Sequence, residues 1–326
     1  MVRTRIEELW HGELRQAAQS PLSKDGLRLT RIDPVLPCDI YAGIDDAGRR
    51  VLAIGVGMRP PALTLESQTL ECFRQQRANG SWLLALRLAD AGLEAVFGRL
   101  CQDLVESARL VEAESELLEL FVSRLRLWQK LFNGSNDGLL LSRQIKGLIA
   151  ELLVLEQLVH LGTPDAVATV SAWVGPCGAD QDFVFPGSAI EVKAVSVGRP
   201  CVTISSLEQL DSQVPMVLAI ITLERCSAES PSALTLNALV ARAEGRIASS
   251  NVALAIFRNR LLEAGYVCHD RYDQECFVPV QTRFFDVSVD FPKITSASVH
   301  SSIGRATYEI EIASLDAFER GALRDD

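Results

Sequence analysis

The stretch DFVFPGSAIEVKA, residues 182–194, places two acids and a lysine on two short β-leaning runs joined by a Pro-Gly turn. Alternate side chains of a strand share one face, about 7 Å apart, so Glu191 and Lys193 project together while Ile190, Val192 and Ala194 take the other face. Asp182 opens the preceding run, and folding DFVF back onto IEVKA carries its carboxylate toward Glu191. Neighbouring carboxylates repel unless a cation sits between them. Together with phosphate and water oxygens, such a pair suits Mg²⁺. A lysine beside it can orient an attacking water or stabilise charge developing on a phosphate. Taken alone, E-x-K equally describes a hairpin with charges on its wet face.

Glu151 adds a third acid. On a helical wheel of residues 143–160 its neighbours are Gln144, Gly147, Leu148, Val154, Leu155 and Leu158, while Lys146, Gln157 and His160 fall opposite. Glu151 is therefore expected on the inward, apolar face. A carboxylate there needs a basic group, a hydrogen-bond network or a metal.

These residues require particular elements to hold them. LSRQIKGLIAELLVLEQLVHLG (141–162) has helical spacing and closes on Gly162. A strand near Trp173, the 182–195 hairpin and a strand over 200–204 follow. Ser205, with Glu208 three residues on, has the pattern of a capping box opening a helix. VPMVLAIITLE (214–224) is nearly unbroken apolar sequence, the mark of a buried central strand. The middle third thus reads α, β, β, β, α, β, a mixed-sheet α/β (α+β) core covered by helices. Upstream lie a helix within residues 1–20, a hairpin over 38–57, a strand at 81–88 and helices over 90–129. NGSNDG (133–138) is the clearest break. Downstream, two helices precede strands in RFFDVSVDF and ATYEIEI. The expected division is an N-terminal α+β region (1–135), a core (136–230) and a C-terminal helical and β extension packing on it (231–326).

Composition limits the options. With 48% hydrophobic and 23% charged residues, the chain is an ordinary globular protein. The N-terminus MVRTRIEELW carries charges where a secretory leader needs an apolar stretch, and no long apolar run appears, so a cytoplasmic protein without membrane association is expected. The eight cysteines never show C-x-x-C spacing. The Cys268, His269 and Cys276 group lacks a fourth partner, so zinc is not expected and a reducing compartment is. A net charge of −10 argues against coating nucleic acid by bulk electrostatics and leaves only a local basic groove.

The helix GLIAELLVL, then GADQDFVF, then IEVKA, resembles the PD-(D/E)XK nuclease superfamily in kind and order of residues. More narrowly, the chain is similar to uncharacterised bacterial PD-(D/E)XK motif proteins associated with restriction and phage defence. The resemblance implies a restriction-endonuclease-like core and a Mg²⁺-dependent endodeoxyribonuclease, with Mn²⁺ able to substitute. It assigns Asp182, Glu191, Lys193 and Glu151 to catalysis. Asp182, Glu191, Glu151 and the Val192 carbonyl become metal ligands. No proline precedes Asp182 (the chain reads Ala-Asp-Gln-Asp), which leaves Asp180 as a rival. Gln209 is expected to support the site, and Arg199 and Ser205 to contact DNA, with Ser205 also readable as a helix cap. DNA is the expected substrate. A helicase or methyltransferase of a defence system and a second copy of the chain are expected partners. The alternative is a catalytically silent nuclease-fold subunit that binds DNA or such a partner.

Overall fold

The apolar run at 214–224 forms the middle strand of a sheet, and the hairpin bearing Asp182, Glu191 and Lys193 is laid directly against it. The computed structural model describes residues 5–17, 26–34, 36, 39–63, 69–109, 111, 113–134, 139–162 and 165–323. Most of the NGSNDG break, residues 135–138, lies outside the described residues. The chain divides into two units: Met1–Leu139 with Val267–His269, and Leu140–Tyr266 with Asp270–Asp326. No helix among the described residues is long and apolar enough to cross a membrane.

The first unit contains α1 (Arg5–Ala17), β1 (Leu27–Arg31), β2 (Ile40–Asp45), β3 (Arg50–Val56), β4 (Leu70–Gln76), β5 (Trp82–Leu88), α2 (Glu94–Ala108) and α3 (Glu114–Gly134). Its strands form one antiparallel sheet in the order β1-β2-β3-β5-β4. Trp10 of α1 stacks on Phe97 of α2 at 5.3 Å and donates its indole N–H to the Val51 carbonyl at 3.0 Å. A large buried aromatic with its one polar atom satisfied anchors the helices to the sheet.

The second unit contains α4 (Ser142–Leu161), α5 (Ala166–Ala172), β6 (Phe183–Phe185), β7 (Ser188–Ser196), β8 (Cys201–Ile204), β9 (Met216–Cys226), α6 (Leu236–Ile247), α7 (Asn251–Glu263), β10 (Cys276–Asp286), β11 (Tyr308–Glu311) and β12 (Glu319–Arg320). The main sheet has the order β12-β10-β9-β7-β6, with β7 and β9 parallel and the other pairs antiparallel. β8 leaves this sheet to pair with β11. The result is a mixed α+β arrangement compatible with the expected restriction-endonuclease-like core. α4 packs on β7 and α6, and ends where Gly162 takes φ +70°, a conformation open to glycine at little strain.

Three local expectations change. Residues 205–211 form turns rather than a helix opened by Ser205. The Ser205 amide is taken by Gln209 Oε1 at 2.8 Å, so the pairing that the S-x-x-E pattern needs does not form. The segment before the hairpin is helix α5, capped by Asp165 on the Ala168 amide at 2.8 Å, and Trp173 makes only a single bridge to Phe183. Lys146 does not face water opposite Glu151. It donates to Ser196 Oγ at 2.9 Å and lies over the Phe277 ring at 5.7 Å, because its long stem can cross apolar surface.

Glu156, buried on α4, receives Arg242 of α6 on both oxygens at 2.7 Å and Arg246 at 3.3 Å. Arg258 instead meets the half-exposed Glu244 at 2.8 Å. Removing a cation from a buried carboxylate leaves desolvated charge, whereas a surface pair contributes little. Arg242→Ala is expected to lower stability by about 1–3 kcal/mol and Arg258→Ala by less than about 0.5 kcal/mol in urea unfolding. Equal effects would contradict this ranking.

Candidate functional site

Glu191 lies in β7 with only 1% of its surface exposed. In the sheet it stands opposite Leu218 of β9. Its Oε1 accepts from Lys193 Nζ at 2.5 Å, and that ammonium also donates to Gln209 Oε1 at 2.9 Å. Glu191 Oε2 is buried and has no hydrogen-bond partner. A charged oxygen so placed is costly. Burial pushes the Glu191 carboxyl well above the usual carboxylate range; the charge of Asp182 adds to this, Lys193 opposes it, and Glu151 raises it further.

Asp182 enters β6 with its carboxylate turned onto the neighbouring strand. Its Oδ2 accepts the Val192 amide at 2.8 Å, and its own carbonyl accepts the amides of Val174 and Gly175 at 2.9 and 3.0 Å. A Cβ added to Gly175 would stand 2.5 Å from Asp182 Oδ1 and 3.0 Å from its Cα. Glycine is thus the residue that lets the backbone approach. Burial raises the Asp182 carboxyl, while the Val192 amide and Lys193 pull it down. Asp180, the rival, is exposed.

Glu151 projects from α4 and accepts the indole N–H of the fully buried Trp173 at 2.8 Å. Burial, then the charge of Asp182, pushes its carboxyl up to about 8 against the opposing effects of Trp173 and Lys193. Glu151, Asp182 and Glu191 therefore share one electrostatic environment. Trp173 and Lys193 each occupy one oxygen of a glutamate. Among the described residues, no three Asp, Glu, His or Cys side chains are already gathered closely enough to hold a metal ion.

The turn at 205–211 closes one side. Gln209 Oε1 takes both the Ser205 amide and Lys193 Nζ. Gln181 Nε2 donates to the Glu208 and Asp211 carbonyls at 2.8 and 3.3 Å, tying the turn to the residue beside Asp182. Arg199 is exposed, at the far end of β8 from Ser205. Trp173, Gly175 and Gln181 are site residues that the sequence pattern does not single out. The adjacency of Gln181 to Asp182 is the one local signal; the others meet the acids only through the fold. Arg242, Arg246 and Arg258 each face an acid, whereas Arg260 contacts Cys177 Sγ and the Ser171 carbonyl.

A family model described as "Putative PD-(D/E)XK family member, (DUF4420)" matches residues 6–313. No curated protein and no solved structure matches the chain.

Two outcomes follow from this geometry. A raised carboxylate binds its proton more tightly when folded, so its contribution is fully present below about pH 4.5 and is lost as pH rises through about 8 for Glu151. In EDTA, the melting temperature is expected to fall across that window, and Glu151→Gln, which keeps an acceptor for Trp173, should flatten the decline. A wild-type profile that rises from pH 5 to 8 and is unchanged in the variant would refute it. Gly175→Ala should destabilise the protein by about 1–3 kcal/mol through overpacking against Asp182, read by urea unfolding.

Proposed function

The chain belongs to this PD-(D/E)XK family, and from that premise we propose that it is a divalent-metal-dependent endodeoxyribonuclease, acting in the cytoplasm in restriction or phage defence. The observation that carries the reading is Glu191 Oε2. It is a buried, unpartnered carboxylate oxygen beside a lysine and a second acid. An unpartnered buried carboxylate oxygen is costly, and a bound cation would satisfy it. Hard oxygen donors at this point fit Mg²⁺, with Mn²⁺ as a substitute. Asp182, Glu191 and the Val192 carbonyl would hold the ion, with Glu151 completing or supporting the set. When bound, the ion supplies Lewis-acid activation and neutralises charge on the scissile phosphate.

The protein groups have separable tasks. Lys193 orients the attacking water or stabilises charge on the phosphate, and Gln209 holds the ammonium in place from the other side. The Val192 amide fixes Asp182, and Trp173 fixes Glu151. Asp180, exposed before the strand, is assigned no ligand role. Ser205 and Arg199 are secondary candidates for DNA contact.

The net charge of −10 supports a second reading, a subunit that keeps the fold and binds a helicase or methyltransferase partner. The two readings separate in one assay. Supercoiled plasmid is incubated with Mg²⁺ or Mn²⁺, alone and with candidate partners, while Mn²⁺ affinity is measured by calorimetry. Lys193→Ala is expected to lower cleavage by about 100-fold or more with Mn²⁺ binding retained, and Glu191→Gln to lose both. Cleavage identical in wild type and Lys193→Ala would overturn the catalytic assignment.

A further inference from the structure

Residues 291–307, FPKITSASVHSSIGRAT, contain no Asp or Glu in a chain of net charge −10, and carry Lys293, His300 and Arg305 among seven Ser, Thr or Gly residues. The segment is built rather than loose. Phe291 at its root is 3% exposed and packs edge-on against Phe318 at 5.1 Å within the core that also includes Val202, Ile204 and Phe285. Tyr308 at its end uses its hydroxyl on the Ile294 amide and carbonyl at 3.1 and 3.4 Å. In between, Ser298 Oγ accepts the Thr295 amide at 2.8 Å, and His300 Nδ1 accepts the Ser302 amide at 3.2 Å. With Nδ1 accepting, a neutral His300 carries its proton on Nε2 and remains a donor.

The position of the segment is as telling as its charge. Thr307 Oγ1 donates to the Ser205 carbonyl at 3.2 Å, and the Ser205 amide donates to Gln209 Oε1, which also takes Lys193 Nζ. Ser296 Oγ reaches Glu208 Oε1 at 3.5 Å on the same turn. Three hydrogen bonds thus connect the segment to the lysine of the candidate centre. Lys293 and Arg305 form no ion pair among the described residues, whereas Arg225, Arg242, Arg246, Arg258, Arg283 and Arg320 each face an acid.

We propose that residues 291–307 are the surface that holds the phosphodiester backbone of DNA beside the Glu191–Lys193 centre. The inference rests on the nuclease reading for its choice of ligand. Unpaired cations, hydroxyls and backbone amides are the donors that position a phosphate chain, and they supply register rather than base specificity. Within the segment itself the only charged side chains besides His300 are the cations Lys293 and Arg305, with Asp290, Glu309 and Glu208 at its margins, so the phosphates are held by these two cations and the segment's hydroxyls.

The test is fluorescence anisotropy with a short DNA duplex in EDTA over a range of NaCl concentrations, for wild type, a Lys293→Ala/Arg305→Ala double variant and Arg258→Ala. The double variant is expected to bind about tenfold more weakly, with a salt slope shallower by about 1.8, from about 0.9 for each of two phosphates no longer neutralised. Arg258→Ala should match wild type, and Mn²⁺ binding should be unchanged in both. Wild type that fails to bind DNA at low salt, or a double variant with the wild-type slope, would overturn the proposal. DNA binding that depends on Lys293 and Arg305, without Mn²⁺ binding or cleavage, would uphold this surface while rejecting the nuclease reading.

Discussion

The second unit is organised around three carboxyls, one buried and two partly buried, gathered about a single ammonium. Asp182 raises both glutamates, Glu151 raises Glu191 further, and Lys193 is the cation common to all three. The effect of burial exceeds that of the lysine, and each of the three carboxyls is raised. In a core built for stability alone this is an unfavourable arrangement. The strands, the Trp173 indole, the Gly175 approach and the Gln209 turn all serve to keep it in place.

Two other acids show what a purely structural solution looks like. Asp45 is also 1% exposed, yet it accepts from the Ala47 and Arg49 amides, the Arg49 side chain and Arg87, so both oxygens are used. Glu156 lies on the same helix as Glu151 and has two arginines. Glu191, as deeply buried as Asp45, has a single donor on one oxygen and none on the other. Among the described residues of the second unit, Glu191 Oε2 is the one buried carboxylate oxygen left without a hydrogen bond, and that sets it apart from Glu156.

Much of the fold was legible because it depends on local periodicity. The apolar run 214–224 became the central strand, the 141–162 helix ended on its glycine, and the Pro-Gly turn paired Phe183–Phe185 with Ser188–Ile190. Sequence and structure part where a side chain takes a partner distant in sequence or stronger than the local one. Ser205 satisfied the local rule for a helix cap, but Gln209, already engaged with Lys193, took its amide. Strands β1 and β4, with half-buried, mixed-polarity sequences, gave little pattern to read.

By itself the sequence marked Glu151, Glu191, Lys193 and one of two aspartates as candidates, in that order of elements, since residue type and short-range spacing are written in the chain. Only the tertiary structure decided which of two aspartates lies against β7, because that depends on the Val192 amide and on the space left by Gly175. It also decided that Trp173 grips Glu151, and that a segment a hundred residues downstream meets the turn beside Lys193. These contacts join residues that share no local period, and packing alone brings them together.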